Sequence, residues 1–106
     1  MLRVIAQNLA ENAIRYAGPG ATFTLSVDTV GDVVTLTGRD DGIGVEESDV
    51  GRLFERFYRS DRARASRGTG LGLAIVKHIV TQAGGTVDAR GARGHGLEIR
   101  AELPAP

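Results

Sequence analysis

The sequence has no cysteine. Disulfide scaffolds, cysteine nucleophiles and thiolate-bound zinc are therefore excluded. It has no surplus of either charge: thirteen Lys and Arg residues balance thirteen Asp and Glu, and the formal net charge is zero. A general binder of nucleic acid or other polyanions relies on a basic excess, so that class is argued against. There is no apolar run approaching the roughly 18 residues that a membrane span needs. The N-terminus lacks the charged-then-apolar pattern of a secretory signal. The expected place for this stretch is the cytoplasm, without direct membrane contact. No internal repeat, low-complexity tract or long linker divides the chain. Lysine is nearly absent: Lys77 stands alone against twelve Arg.

What is present is ordinary in bulk and unusual in detail. The 106 residues are 42% hydrophobic and 25% charged, a globular composition rather than a disordered one. The length suits one domain, residues 1–106, with one core of its own. Fifteen residues are glycine, about twice the usual ~7%.

Hydrophobic periodicity predicts a helix over 2–17, where Leu2, Ile5, Leu9 and Ala13 form a stripe. Gly18-Pro19-Gly20 ends it. Residues 21–30 alternate, with Phe23, Leu25 and Val27 on one face, and read as a half-buried strand. Gly31-Asp32 is a hairpin turn into a second strand, 33–39. Glu46–Leu53 reads as a short helix with an acidic first turn. Residues 56–67 carry five Arg and little apolar content, and read as a mobile loop. A helix follows over 71–83, with Leu73, Val76, Ile79, Val80 and Ala83 on one face and Gly84-Gly85 closing it. Two strands, 86–90 and 97–103, complete the chain. One polar face per strand predicts an α+β two-layer sandwich, with a mostly antiparallel sheet covered by helices on one side.

Three patterns and one arginine-bearing segment carry chemistry. On the first helix, with Asn8 set at 0°, a step of ~100° puts Asn12 at about 40°, Arg15 at about −20° and Tyr16 at about 80°. Two amides and a guanidinium thus line up beside the buried stripe. They read either as solvated boundary residues or as neutral oxygen ligands for Mg²⁺ beside a phosphate-pairing arginine. Asp40-x-Gly42-x-Gly44 follows a strand. It reads either as plain turn chemistry or as a fixed carboxylate able to accept from an exocyclic amine such as adenine N6. Gly68-Thr69-Gly70-Leu71-Gly72 runs straight into a helix, and such a loop either supplies flexibility or cradles phosphate with free N–H groups and the helix dipole. It fits neither the P-loop nor the dinucleotide fingerprint, because Lys77 is misplaced for the first and Leu73 stands where the second needs glycine. Between the last two patterns, Phe54 and Phe57 are placed to dock the segment, while Arg56 and Arg59 serve either as surface ion pairs or as donors to developing phosphate charge.

Taken in order, these segments resemble the asparagine box, the first glycine box, the phenylalanine box and the second glycine box of the catalytic ATP-binding domain of bacterial two-component sensor histidine kinases. Asn8-Leu-Ala-Glu-Asn12-Ala-Ile-Arg15-Tyr16 and Gly68-Thr-Gly-Leu-Gly72-Leu-Ala-Ile are the closest matches, and the resemblance covers nearly the whole chain. It implies the Bergerat fold, a mixed, mostly antiparallel sheet shared with gyrase, a heat-shock chaperone and mismatch-repair ATPases. It implies ATP and Mg²⁺ as cofactors. Asn12 would ligate the metal, with Asn8 beside it. Arg15 would meet phosphate, and Tyr16 would lie against adenine or ribose. Asp40 would bind adenine N6, with Gly42, Gly44 and Val45 shaping that pocket. Residues 59–69 would form a lid. Gly68, Thr69, Gly70, Leu71 and Gly72 would lie along the phosphates, and Arg56 or Arg59 would touch the γ-phosphate during transfer. The implied partners are a histidine-bearing dimerisation domain and a downstream response regulator, whether or not the full-length protein is anchored in a membrane.

ATP-hydrolysing relatives carry Glu where Asn8 stands, and that carboxylate can act as a general base. An amide cannot, and Glu11 lies about 60° round the helix from Asn8. A histidine imidazole is already a nucleophile. Asn8 therefore favours transfer to histidine over hydrolysis. Neither histidine of this chain suits the acceptor role, since His78 is followed by Ile79 and His95 by Gly96, where the family's acceptor is followed by an acidic residue. Asp41 stands where the family often has Asn, and an exposed carboxylate there is expected to matter little. Gly94-His95-Gly96 is a loose match to a further glycine box. The chain starts two residues into the first helix's pattern. The expectation is a catalytic domain that needs its histidine from elsewhere: part of a longer kinase or a stand-alone catalytic subunit working in trans. A nucleotide-binding regulatory module without transfer activity is the alternative from another class.

Overall fold

The computed structural model describes residues 2–55 and 72–105. Helix α1 spans Leu2–Tyr16 and buries the stripe Ile5, Leu9 and Ala13. Strands β1 (Phe23–Val30) and β2 (Val33–Asp40) follow, then the single-turn helix α2 (Glu47–Val50). After the undescribed stretch come helix α3 (Gly72–Gln82) and strands β3 (Thr86–Gly91) and β4 (Leu97–Pro104). The expected helix over 46–53 is thus shorter, and Gly51 onward is turn rather than helix.

The four strands form one sheet in the order β1-β2-β4-β3. Every pairing among the described residues is antiparallel, in keeping with the mostly antiparallel sheet expected from the sequence. Helix α1 lies over β1 and β2, α3 over β3 and β4, and the two helices pack side by side. Both cover the same sheet face. That face carries Val34, Leu36, Leu97, Ile99, Ala101 and Leu103, all buried. They join Ile5, Leu9, Val76 and Val80 in one core, to which Val45 and Leu53 are added from the chain around α2.

Gly38 explains how α1 comes so close to the sheet. It faces the helices in the middle of β2, and a Cβ there would sit 3.2 Å from both the Leu9 side chain and the Phe23 ring. A glycine inside a strand is tolerated where another group needs that space. The other sheet face is polar. Its cross-strand rows alternate in charge, as in Arg39 opposite Glu98 opposite Arg90, an arrangement that stabilises neighbouring strands modestly.

One strand departs from expectation. Leu25 and Val27 share the face of Gly38 and Leu36, yet they are 41% and 60% exposed. The alternation names the right face, but β1 is the edge strand and its far half extends beyond the cover of α1.

Helix α3 ends in a complete Schellman motif. Gly85 N–H donates to the Val80 carbonyl at 2.9 Å and Gly84 N–H to that of Thr81 at 3.0 Å, with Gly84 at φ +84°. A side chain in this left-handed conformation costs about 1–2 kcal/mol. Gly84→Ala is therefore expected to destabilise the domain by about that amount, read as a lower urea midpoint at unchanged m-value.

Candidate functional site

The site is assembled along α1: the first turn of α3 meets its asparagine face at Asn8, and the loop after β2 meets the chain at Ala17, just past its C-terminal end. Asn8 is half-buried on α1. Its Nδ2 donates to the Val4 carbonyl at 2.9 Å. The amide NH₂ is thus engaged by the helix itself, and Oδ1 is turned outward as an acceptor. A Cβ on Gly72 would lie 3.6 Å from that Oδ1. The asparagine face of α1 therefore abuts the beginning of α3, where the second glycine pattern ends. Asn12 and Tyr16 are half-buried further along α1, and Arg15 is exposed in its last turn.

Asp40 closes β2 on the helix-covered face and is the one buried charged residue among those described, at 4% exposure. Burying a carboxylate is costly unless it is hydrogen-bonded. Its Oδ1 accepts from Gly42 N–H at 3.0 Å. That bond forms because the chain reverses directly after β2.

Four contacts hold the reversal. Ile43 N–H donates to the Ala17 carbonyl at the end of α1, 2.9 Å. A Cβ on Gly42 would overlap the same carbonyl oxygen. Thr22 N–H donates to Asp41 Oδ1 at 2.6 Å, and Asp41 N–H returns a bond to the Thr22 carbonyl at 3.3 Å. Gly94 N–H, from the β3–β4 turn, donates to the Ile43 carbonyl at 2.7 Å. Asp41, expected to matter little, is thus the clasp between this loop and the start of β1. A carboxylate oxygen accepting from a backbone N–H makes a strong, charge-assisted bond.

Other expected site residues fall elsewhere. Val45 is 3% exposed and belongs to the core, so its side chain packs inward beneath the loop. Gly44 is buried against the β3–β4 turn. Arg56, Arg59, Gly68, Thr69, Gly70 and Leu71, and with them the expected lid, lie outside the described residues. His78 and His95 are both exposed. Among the described residues, no group of three or more His, Cys, Asp or Glu is arranged to hold a metal. The oxygen at the α1–α3 junction, Asn8 Oδ1, belongs to a neutral amide, as does that of Asn12 further along α1, and such donors suit Mg²⁺ when phosphates bring the negative charge. No helix among the described residues is long and apolar enough to cross a membrane.

Comparison with known proteins identifies the family of the chain. The chain belongs to the family of histidine kinase-, DNA gyrase B- and HSP90-like ATPases, whose model matches residues 1–106. Within that family its relatives are sensor histidine kinases. It is 38% identical over 104 residues to sensor histidine kinase WalK of Bacillus subtilis, which covers 94% of this chain and 17% of WalK. The chain thus spans about a sixth of that relative's length. Among solved structures it resembles the mycobacterial sensor histidine kinase MprB, with a TM-score of 0.86 and 32% identity over 99% of this chain and 73% of that one. Full-length ShkA in complex with AMPPNP matches at a TM-score of 0.83 and 35% identity, over 97% of this chain and 21% of ShkA. The α+β fold is that of histidine kinase ATPase domains.

The Asp41 clasp yields a test. Asp41→Ala is expected to cost about 1.5–3 kcal/mol, whereas Asp41→Asn, which keeps the acceptor oxygen but not its charge, is expected to recover part of it. Urea denaturation of both variants beside the parent checks this; equal losses would remove the clasp.

Proposed function

We propose that this domain binds Mg-ATP between α1, the loop after β2 and the start of α3. It then donates the γ-phosphoryl group to a histidine on a separate dimerisation and phosphoacceptor domain, in two-component signalling with a response regulator downstream. The observation that carries this reading is the meeting of Asn8 Oδ1 with Gly72. It brings the asparagine face of α1 to a helix N-terminus, where backbone N–H groups and the dipole favour phosphate. Family membership supports an ATP-binding kinase role, and the AMPPNP complex of ShkA supports an adenine nucleotide as ligand.

On this reading each residue has one task. The Asp40 carboxylate, held by Gly42 N–H, accepts from the exocyclic amine of adenine. Tyr16 lies against the base or ribose. Arg15 and the glycine loop meet the phosphates. Asn12, with Asn8 beside it, would hold Mg²⁺, which when bound neutralises charge on the phosphate oxygens. Arg56 or Arg59 answers the γ-phosphate charge that develops during transfer.

Asn8 sets the outcome of the reaction. Its amide has no basic site with which to take a proton from water. The imidazole of an acceptor histidine needs no such base, because its nitrogen lone pair attacks phosphorus directly. The bond from the γ-phosphorus to the bridging oxygen breaks, ADP leaves with that electron pair, and the proton on the other ring nitrogen passes to solvent. Catalysis is then positioning and charge stabilisation.

Two experiments test the reading. Asp40→Asn is expected to weaken ATP binding about 10- to 100-fold, the worth of a charge-assisted hydrogen bond. Gly42 N–H claims the remaining oxygen, so the new NH₂ would face the adenine amine, donor against donor. Asn12→Ala is expected to abolish the Mg²⁺-dependent part of nucleotide binding. Calorimetric titration with and without Mg²⁺ reads both, and parental binding by both variants would place the site elsewhere. In the second experiment, the domain is mixed with a cognate acceptor hairpin and γ-labelled ATP. The expected product is an acid-labile phosphohistidine on the hairpin. Nucleotide binding without that product would point to a regulatory module, and rapid phosphate release by the domain alone would point to a hydrolase.

A further inference from the structure

We infer that the β3–β4 turn, through Gly96, positions Asp40, so that nucleotide selectivity depends on a turn distant in sequence from the residue that reads the base. This rests on the proposed role of Asp40 as acceptor for the adenine amine.

The turn runs from Ala92 to Gly96 and is closed by His95 N–H donating to the Ala92 carbonyl at 2.9 Å. It presses on the loop after β2 at three successive points. A Cβ on Gly96 would overlap the Asp40 carbonyl oxygen and would stand 3.0 Å from Asp41 Cα. Gly94 N–H donates to the Ile43 carbonyl at 2.7 Å. A Cβ on Gly44 would overlap the Ala92 carbonyl oxygen. Outside this seam, Arg93 Nε reaches Glu46 Oε1 at 3.1 Å, an ion pair with both partners substantially exposed and so of small worth.

The consequence for Asp40 follows from how its carboxylate is aimed. Its Oδ1 accepts from Gly42 N–H, two residues along the same loop. That bond ties the side chain to the backbone path through 40–44. That path is wedged between two walls, the Ala17 carbonyl on the α1 side and the β3–β4 turn on the other. Neither wall can be approached more closely without overlap. A methyl group on Gly96 must push the turn and the Asp40 backbone apart, and displacements near 1 Å at a positioning group are enough to change function by about two orders of magnitude.

The test compares ATP with inosine triphosphate, which carries a carbonyl where adenine has its amine. In the parent domain ATP is expected to bind more tightly. Gly96→Ala is expected to reduce that preference about tenfold or more, within the range of the hydrogen bond it misaligns. Gly91→Ala places its Cβ 3.0 Å from the Gly96 carbonyl oxygen. It is expected to shift the preference in the same direction by less, and serves if Gly96→Ala does not fold. Gly84→Ala is the matched control. It also has a positive φ, +84° against +75° for Gly96, but its Cβ would meet only Pro104, 3.8 Å away. It should lower stability and leave the preference intact. Asp40→Asn completes a double-mutant cycle with Gly96→Ala. If Asp40→Asn loses the preference and Gly96→Ala adds nothing in that background, both steps stand. If Asp40→Asn loses it while Gly96→Ala and Gly91→Ala keep it, the positioning role is overturned and the reading of Asp40 survives. If Asp40→Asn keeps it, the reading of Asp40 is itself overturned.

Discussion

A carboxylate buried at the end of a central strand is the constraint on which the rest of this arrangement turns. Asp40 cannot stay charged and buried without a donor, and Gly42 supplies one only if the chain reverses within two residues. That reversal brings the backbone against the Ala17 carbonyl, just past the end of α1, which accepts from Ile43 and leaves no room for a Cβ on Gly42. The same carbonyl would otherwise be one of the unsatisfied acceptors at a helix end. One short loop thus meets two needs. It solvates a buried anion with backbone, and it satisfies the C-terminus of the helix that bears the asparagines.

The height of α1 above the sheet follows from a similar economy of volume. Leu9 and Phe23 occupy the space that a side chain at Gly38 would take. Ile5, Leu9 and Ala13 then sit in the core, and the residues flanking that stripe, Asn8 and Asn12, fall half-buried at its margin. Their placement is a by-product of helix periodicity plus depth. Had α1 ridden higher, the amides would be solvated. Had it been rotated by one residue, about 100°, they would face the sheet or the solvent. The abutment of Asn8 with Gly72 depends on both, because α3 packs beside α1 with its own stripe of Leu73, Val76 and Val80 turned into the same core.

Much of this was legible in sequence wherever the cause is local. The stripes of α1 and α3, the alternation of β4, the Gly31-Asp32 hairpin and the glycine stop after α3 all follow from residue spacing. What was not legible is what lies across the fold. Alternation in β1 names a face but not whether a helix covers it, and Leu25 and Val27 are left exposed because β1 is an edge. Gly42 and Gly44 read naturally as room for a ligand, yet the atoms that demand their missing Cβ are the carbonyls of Ala17 and Ala92. Asp41 looked dispensable because its partner, Thr22, lies across the sheet's first hairpin rather than beside it. The faint Gly94-His95-Gly96 pattern was the available signal for the turn that backs the loop. Its meaning appears only when β3 and β4 are folded against β2.

The orientation of Asn8 joins structure to chemistry at the level of single atoms. An asparagine has one acceptor and two donors on its amide. Here the nitrogen bonds the Val4 carbonyl within the helix, which leaves the oxygen as the group that faces α3. On the proposed function this fixes what the position can do: it can ligate a metal or accept a hydrogen bond, and it cannot remove a proton. A glutamate at the same place would present acceptors too, but without an NH₂ to donate to Val4 it would be free to swing toward a water molecule and deprotonate it. Anchoring and chemical identity therefore act in the same direction. The helix holds the side chain in place, and the held atom is one that stabilises charge without activating water, so a bound triphosphate would wait for a nucleophile that brings its own lone pair.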